Sequence, residues 1–115
     1  MAVKPAQFNI RPQRRADYPM TLRFKDPDGV AINLTGWTVL AQVWKTDRSQ
    51  KLGDFTVNVS SPATGEVEMV IPYTVTTSLP DECRYDVMLV APSGLREYYL
   101  EGIVRPSEGY TVPTP

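Results

Sequence analysis

Apolar and polar residues alternate with a period of two along most of this chain. The clearest case runs from Trp37, where Trp37, Val39, Ala41 and Val43 occupy one face and Thr38, Leu40, Gln42 and Trp44 the other. Such alternation is the mark of a strand with one face buried. Upstream, Met20, Leu22 and Phe24 alternate with Thr21, Arg23 and Lys25, and Val30, Ile32 and Leu34 continue the pattern. Between them lies Asp26-Pro27-Asp28-Gly29, with proline where a turn fixes φ and glycine at its end. Thr35-Gly36 then turns the chain into the Trp37 strand.

The second half repeats the theme. Residues 45–53 are polar and read as a hairpin loop; the strand from Asp54 to Ser60 follows, with Phe55, Val57 and Val59 inward. The cluster Ser61 to Gly65 is a hairpin turn into a strand with Val67, Met69 and Ile71 inward and Glu66 and Glu68 outward. Thr74 to Ser78 has room for one helical turn, and its β-branched residues oppose a longer helix. Cys83 to Val90 is a strand with Tyr85, Val87 and Leu89 on one face; Ala91 to Gly94 is a tight turn. In the last strand, Leu95 to Arg105, the pattern sets Arg96, Tyr98 and Leu100 against Glu97, Tyr99 and Glu101.

Seven or eight short strands separated by regular turn signals predict an all-β fold, an immunoglobulin-like antiparallel β-sandwich or a small barrel. Gly29, Gly36, Trp37, Gly65, Tyr85 and Gly94 are the positions that specify it. The predicted organisation is an N-terminal arm or edge strand over 1–12, the sandwich over 13–105, and a proline-rich tail over 106–115. In the arm, Phe8 and Ile10 alternate with Gln7, Asn9 and Arg11.

Composition narrows the chemistry. The 115 residues make about one domain. No run approaches the ~18 apolar residues of a membrane span, and the first residues lack the apolar core of a secretory signal. With no histidine, the chain lacks the commonest general base and metal ligand. Its single cysteine, Cys83, excludes an internal disulfide. Asp26 and Asp28 begin like a calcium loop, but the twelfth position from Asp26 is Trp37 where the loop needs a glutamate. The carboxylate pairs Glu66/Glu68 and Glu97/Glu101 each fall on an outward strand face, as solvated pairs do. The reading is therefore of a non-enzyme with no catalytic, metal or cofactor residues and no small-molecule substrate.

Charge is balanced overall and uneven in distribution. Residues 1–25 hold six Lys/Arg against one acid, and residues 61–115 hold three against eight. A basic start and an acidic end allow copies or neighbours to meet end to end. Arg11, Arg14, Arg15 and Arg23 beside Phe8 and Tyr18 form a weak nucleic-acid patch, disfavoured by the slightly acidic whole. The candidate interface residues are Phe8, Arg11, Arg14, Arg15, Trp44, Tyr98, Tyr99 and Tyr110, since exposed aromatics mark protein contacts or sugar platforms.

A resemblance adds a function class. The DPDG turn, Ile32-Asn-Leu-Thr-Gly36-Trp37 opening a long strand, Ala63-Thr-Gly65, Leu79-Pro-Asp with Tyr85-Asp-Val, and Tyr99-Leu-Glu-Gly102-Ile-Val occur in this order. Over residues 15–105 the chain resembles the immunoglobulin-like N-terminal domain of tailed-phage upper baseplate proteins, and small free-standing phage tail proteins. That resemblance implies a virion structural protein, assembled in the host bacterial cytoplasm, docking to other virion proteins and to its own copies. It carries no catalytic residues. The absence of a stalk or receptor-binding head favours an adaptor or connector, with a capsid decoration protein or a carbohydrate-binding, host-adhesion module as alternatives. The Leu79–Tyr85 segment also resembles the tyrosine corner of immunoglobulin-like sandwiches, where the hydroxyl bonds backbone a few residues upstream. Without the inter-sheet disulfide, Trp37 and the aliphatic faces are left to fill the core.

Overall fold

A computed structural model describes residues 5–108. Eight strands form two layers: β1 (Ala6–Gln7), β2 (Tyr18–Arg23), β3 (Thr38–Lys45), β4 (Lys51–Asp54), β5 (Thr56–Ser61), β6 (Glu66–Ile71), β7 (Cys83–Val90) and β8 (Arg96–Val104). One sheet has the order β1-β8-β7-β3-β4 and the other β2-β6-β5. This is an all-β sandwich with immunoglobulin-like strand order, in which the sheet around β8, β7 and β3 faces the smaller sheet. All pairings are antiparallel except that of β1 with β8, which is parallel.

The alternation selects the core. Val39, Ala41 and Val43 from β3 and Tyr85, Val87 and Leu89 from β7 meet Met20 from β2 and Val67, Met69 and Ile71 from β6. Phe24, Leu34, Leu79 and Cys83 close the ends of the same cluster. Trp37 is only partly buried against it, so the aliphatic side chains and Phe55 fill the space without a central tryptophan. Val30 is 61% exposed at the tip of the DPDG turn, so of the Val30-Ile32-Leu34 series only Leu34 reaches the deep core.

Residues 45–53 are not a loop throughout. The turn is confined to 46–50, and Lys51–Asp54 pairs with β3 as an edge strand. The chain then changes sheets without a loop. The Phe55 amide still bonds the Ala41 carbonyl at 3.0 Å, while Thr56 already pairs with Val70 of β6. Phe55 plugs the corner, 6% exposed, with its ring 5.8 Å from that of Tyr85. The polar composition of 45–53 hid a strand whose faces are both half-solvated.

A second irregularity lies in β8. Val87 is opposite Leu100 but Met88 is opposite Tyr98, so Tyr99 is an extra residue in a β-bulge. The bulge inverts the pleat. Tyr99, partly buried, packs edge-on against Phe24 at 5.9 Å, and the next residue, Leu100, is buried on the same side. The strict alternation expected through Arg96, Tyr98 and Leu100 therefore fails: Tyr98 and Leu100 lie on opposite faces.

Turns follow their residue types. Gly29, Gly36, Gly65 and Gly94 all have positive φ. Gly65 has the tightest requirement, because a Cβ there would also lie 2.6 Å from the Phe24 carbonyl oxygen. Tyr73–Thr76 forms the helical turn expected before β7 (α1), whose Val75 packs onto Gly53 of β4, and Pro62–Thr64 forms a short 3-10 turn between β5 and β6.

Candidate functional site

The outer face of the larger sheet carries a shallow groove of about 290 Å³. Strand register generates it as rows across β3, β7 and β8. Leu40, Met88 and Tyr98 make one row, Gln42, Asp86 and Glu101 the next, and Trp44, Arg84 and Ile103 the third. Thr46 and Arg48 from the β3–β4 turn form one wall. The bulge at Tyr99 is what places Tyr98 and Glu101 on this face together.

The first row is apolar and open: Leu40 is 46% and Tyr98 44% exposed. In the third row Trp44 is half-buried; its indole Nε1 donates to Gln42 Oε1 at 2.8 Å, and the Arg48 guanidinium lies 5.3 Å above its ring. This cation–π contact fixes the turn over the groove. The middle row places two carboxylates directly opposite one another, an arrangement that disfavours charging both. Burial, then the nearby Glu101, push the Asp86 carboxyl above its ordinary value, and Arg48 partly opposes them. Arg84, in contrast, is exposed with no ion pair among the described residues.

The interface residues expected from sequence do not form one patch. Trp44 and Tyr98 lie in the groove, while Tyr99 faces the other way, onto the core. Phe8 is 51% exposed on the edge strand, and Arg11 is exposed near it. Tyr110 lies outside the described residues. Arg14 and Arg15 are turned inward. Arg14 donates to the Leu79 carbonyl at 3.0 Å and pairs with Asp81 and Glu108; Arg15 pairs with Glu108 at 3.3 Å. Hydrogen bonds to Asp81 and Glu108 raise the Arg14 pKa further. Arg23 pairs with Glu66 at 2.8 Å and Arg105 with Glu82 at 2.9 Å. Much of the basic start is thus neutralised by acids of the second half within one chain, which breaks up the basic patch.

Tyr85 does not form a tyrosine corner. Its hydroxyl donates to the carbonyl of Phe8, in β1's continuation, at 2.5 Å. Gly102 lies directly opposite Tyr85, and a Cβ there would collide with the Phe8 carbonyl. Sequence reasoning missed Gly102 as a structural position because it falls inside a regular strand pattern; glycine within a strand is the signal for close backbone approach.

Other candidates resolve simply. Asp26 Oδ1 accepts from the Asp28 and Val30 amides at 2.9 and 3.0 Å, as a turn residue does. Glu97 and Glu101 do not share an outward face, since Glu97 opposes Leu89 and Glu101 opposes Asp86. Cys83 is buried, and desolvation pushes its thiol pKa up to about 11. Among the described residues no cluster of three metal-ligating side chains occurs, and no helix is long and apolar enough to cross a membrane.

No protein-family model matches the chain, and no curated protein matches it in sequence.

Proposed function

We propose that this protein is a non-enzymatic structural or adaptor subunit of a phage virion, in the tail or baseplate, that works by packing its outer sheet face against neighbouring subunits. The observation that supports it is the row of exposed Leu40 and Tyr98 with partly buried Met88 between them, beside Trp44, which brings apolar side chains together on one sheet face. Contiguous apolar surface of this kind is covered when a domain belongs to an assembly. The resemblance to phage baseplate and tail proteins supplies the setting. A capsid decoration role would use the same face.

The test is mass spectrometry of gradient-purified particles from a lysate in which the chain is produced, with the chain labelled for electron microscopy. The expected result is a fixed copy number per particle, with label at the tail. Recovery only in the soluble fraction would overturn the proposal; label on the head would move it to decoration.

A carbohydrate-binding reading is favoured by one feature. Trp44 and Tyr98 flank the polar row Gln42, Asp86 and Glu101, as apolar platforms flank hydrogen-bonding groups in a sugar site. Retardation of the protein in gels containing bacterial surface polysaccharide, lost in Trp44→Ala, would support that reading over packing.

A further inference from the structure

The N-terminal segment lies along β8 as a separate strand, and several features bear on how firmly it stays there. Its backbone is hydrogen-bonded to β8 and its continuation at alternate residues. Phe8 N–H bonds the Glu101 carbonyl at 2.9 Å, Ile10 N–H bonds the Ile103 carbonyl at 2.9 Å, and Arg105 and Ser107 N–H bond the Ile10 and Pro12 carbonyls at 3.1 and 2.8 Å. Gly102 and the Tyr85 hydroxyl shape a receptor for the Phe8 peptide. Its side chains contribute less. Ala6, Gln7, Phe8 and Asn9 are exposed, and only Ile10 and Pro12 are buried. The receptor thus reads an extended backbone with two apolar anchors.

The segment joins the body through three residues, Arg15-Ala16-Asp17, before β2 begins at Tyr18. Arg15 has φ 67°, in the left-handed region that a residue with a Cβ rarely occupies. Its buried Nε has no hydrogen-bond partner. Both are costs of the closed turn, and extending the hinge removes both. A short strained hinge beside a backbone-held edge strand is the arrangement that favours exchange of the strand between copies.

We infer that residues 5–14 exchange between copies, the strand of one protomer seating on β8 of a second. The occupant is already defined, because the same segment fills the same receptor within one chain. The Arg14 clamp to Asp81 and Glu108 is kept across the exchange. The inference rests on the hinge and receptor and holds whether or not the chain is a virion part.

In one chain the strand sees its receptor at an effective concentration on the order of mM. Exchange should therefore emerge as protein concentration approaches about 1 mM, the crowding of an assembled array. Gln7 and Glu101 are directly opposite across β1 and β8. The double variant Gln7→Cys with Glu101→Cys therefore reports who pairs with whom, as strands in register bring Cα atoms within disulfide range. Cys83 stays out of the reaction because it is buried.

The full-length double variant is incubated from about 10 μM to 1 mM, oxidised, and run on a non-reducing gel. The expected result is a disulfide-linked dimer whose share rises with concentration. Arg15→Gly, which relaxes the hinge and gives up only the Arg15–Glu108 ion pair while leaving the Arg14 clamp and the Phe8 receptor in place, should lower that share several-fold. Native mass spectrometry of mixed isotope-labelled and unlabelled wild type checks that dimers form without the introduced cysteines. Intramolecular disulfides alone across the whole range would overturn the inference. So would wild-type dimers that leave the cysteine variant linked only within chains, or a dimer share unchanged by Arg15→Gly.

Discussion

Asp86 is a residue whose chemistry is set by its strand partner. In sequence it is a polar position in an alternating strand; in the sheet it faces Glu101 in a half-buried row. Its folded pKa lies above the ordinary aspartate value. The unfolded chain therefore releases this proton first as pH rises. The associated stability is fully present below the ordinary aspartate range and is lost as pH rises through the raised value. Asp86→Asn, which keeps the shape and removes the charge, should raise the melting temperature at pH 7, with the gain vanishing below about pH 4. Thermal melts of both proteins across that range check it; a gain that persists in acid would mean the charge is not the cause.

The element with the sharpest requirement is the β1–β8 contact. The parallel strand can approach only because Gly102 has no side chain. Gly102→Ala should push the arm off while leaving the two sheets intact, at a cost of about 1–3 kcal/mol. Amide hydrogen exchange should then speed at Phe8 and Ile10 and stay slow at Val43 and Val87; uniform acceleration would show that the arm and sandwich unfold together. The bulge in β8 is the other element-scale device. Tyr99→Ala removes the ring that packs on Phe24; because that ring is only partly buried, the cost in urea unfolding should be about 1–3 kcal/mol. The control, Tyr98→Ala on the outer face, should change stability by about 0.5 kcal/mol or less.

At the scale of the molecule, two layers are joined where β4 passes into β5. Phe55 fills that corner and touches the ring of Tyr85, whose hydroxyl in turn holds the arm. Phe55→Ala should destabilise the whole domain by about 3–5 kcal/mol. Unfolding should stay a single transition by fluorescence and circular dichroism alike, since the corner belongs to the shared core; two separated transitions would mean the sheets unfold independently. The ion pairs act at this scale by position rather than strength. Arg14 and Arg15 tie the arm's hinge to Asp81 and Glu108, and Arg105 ties the end of β8 to Glu82. Exposed pairs of this kind contribute little individually, but they consume the charge asymmetry that sequence alone offers for contacts between copies.

The layers are legible in the amino-acid pattern. Period-two alternation named the inward residues of β2, β3, β6 and β7, and glycine with proline placed the turns, because both follow from local backbone geometry. Tertiary structure decided everything that depends on a partner strand. Alternation cannot show where a register slips, so the bulge that separates Tyr98 from Leu100 was illegible. Nor can a polar run announce that it pairs, so β4 stood as a loop. The groove was legible only as its two aromatics, Trp44 and Tyr98; its rows exist because three strands distant in sequence align in one register. Arg14 and Arg15 read as surface residues in the sequence because their acidic partners lie more than sixty residues away. The role of Gly102 needed the approach of a strand from the far end of the chain, a contact no local pattern encodes.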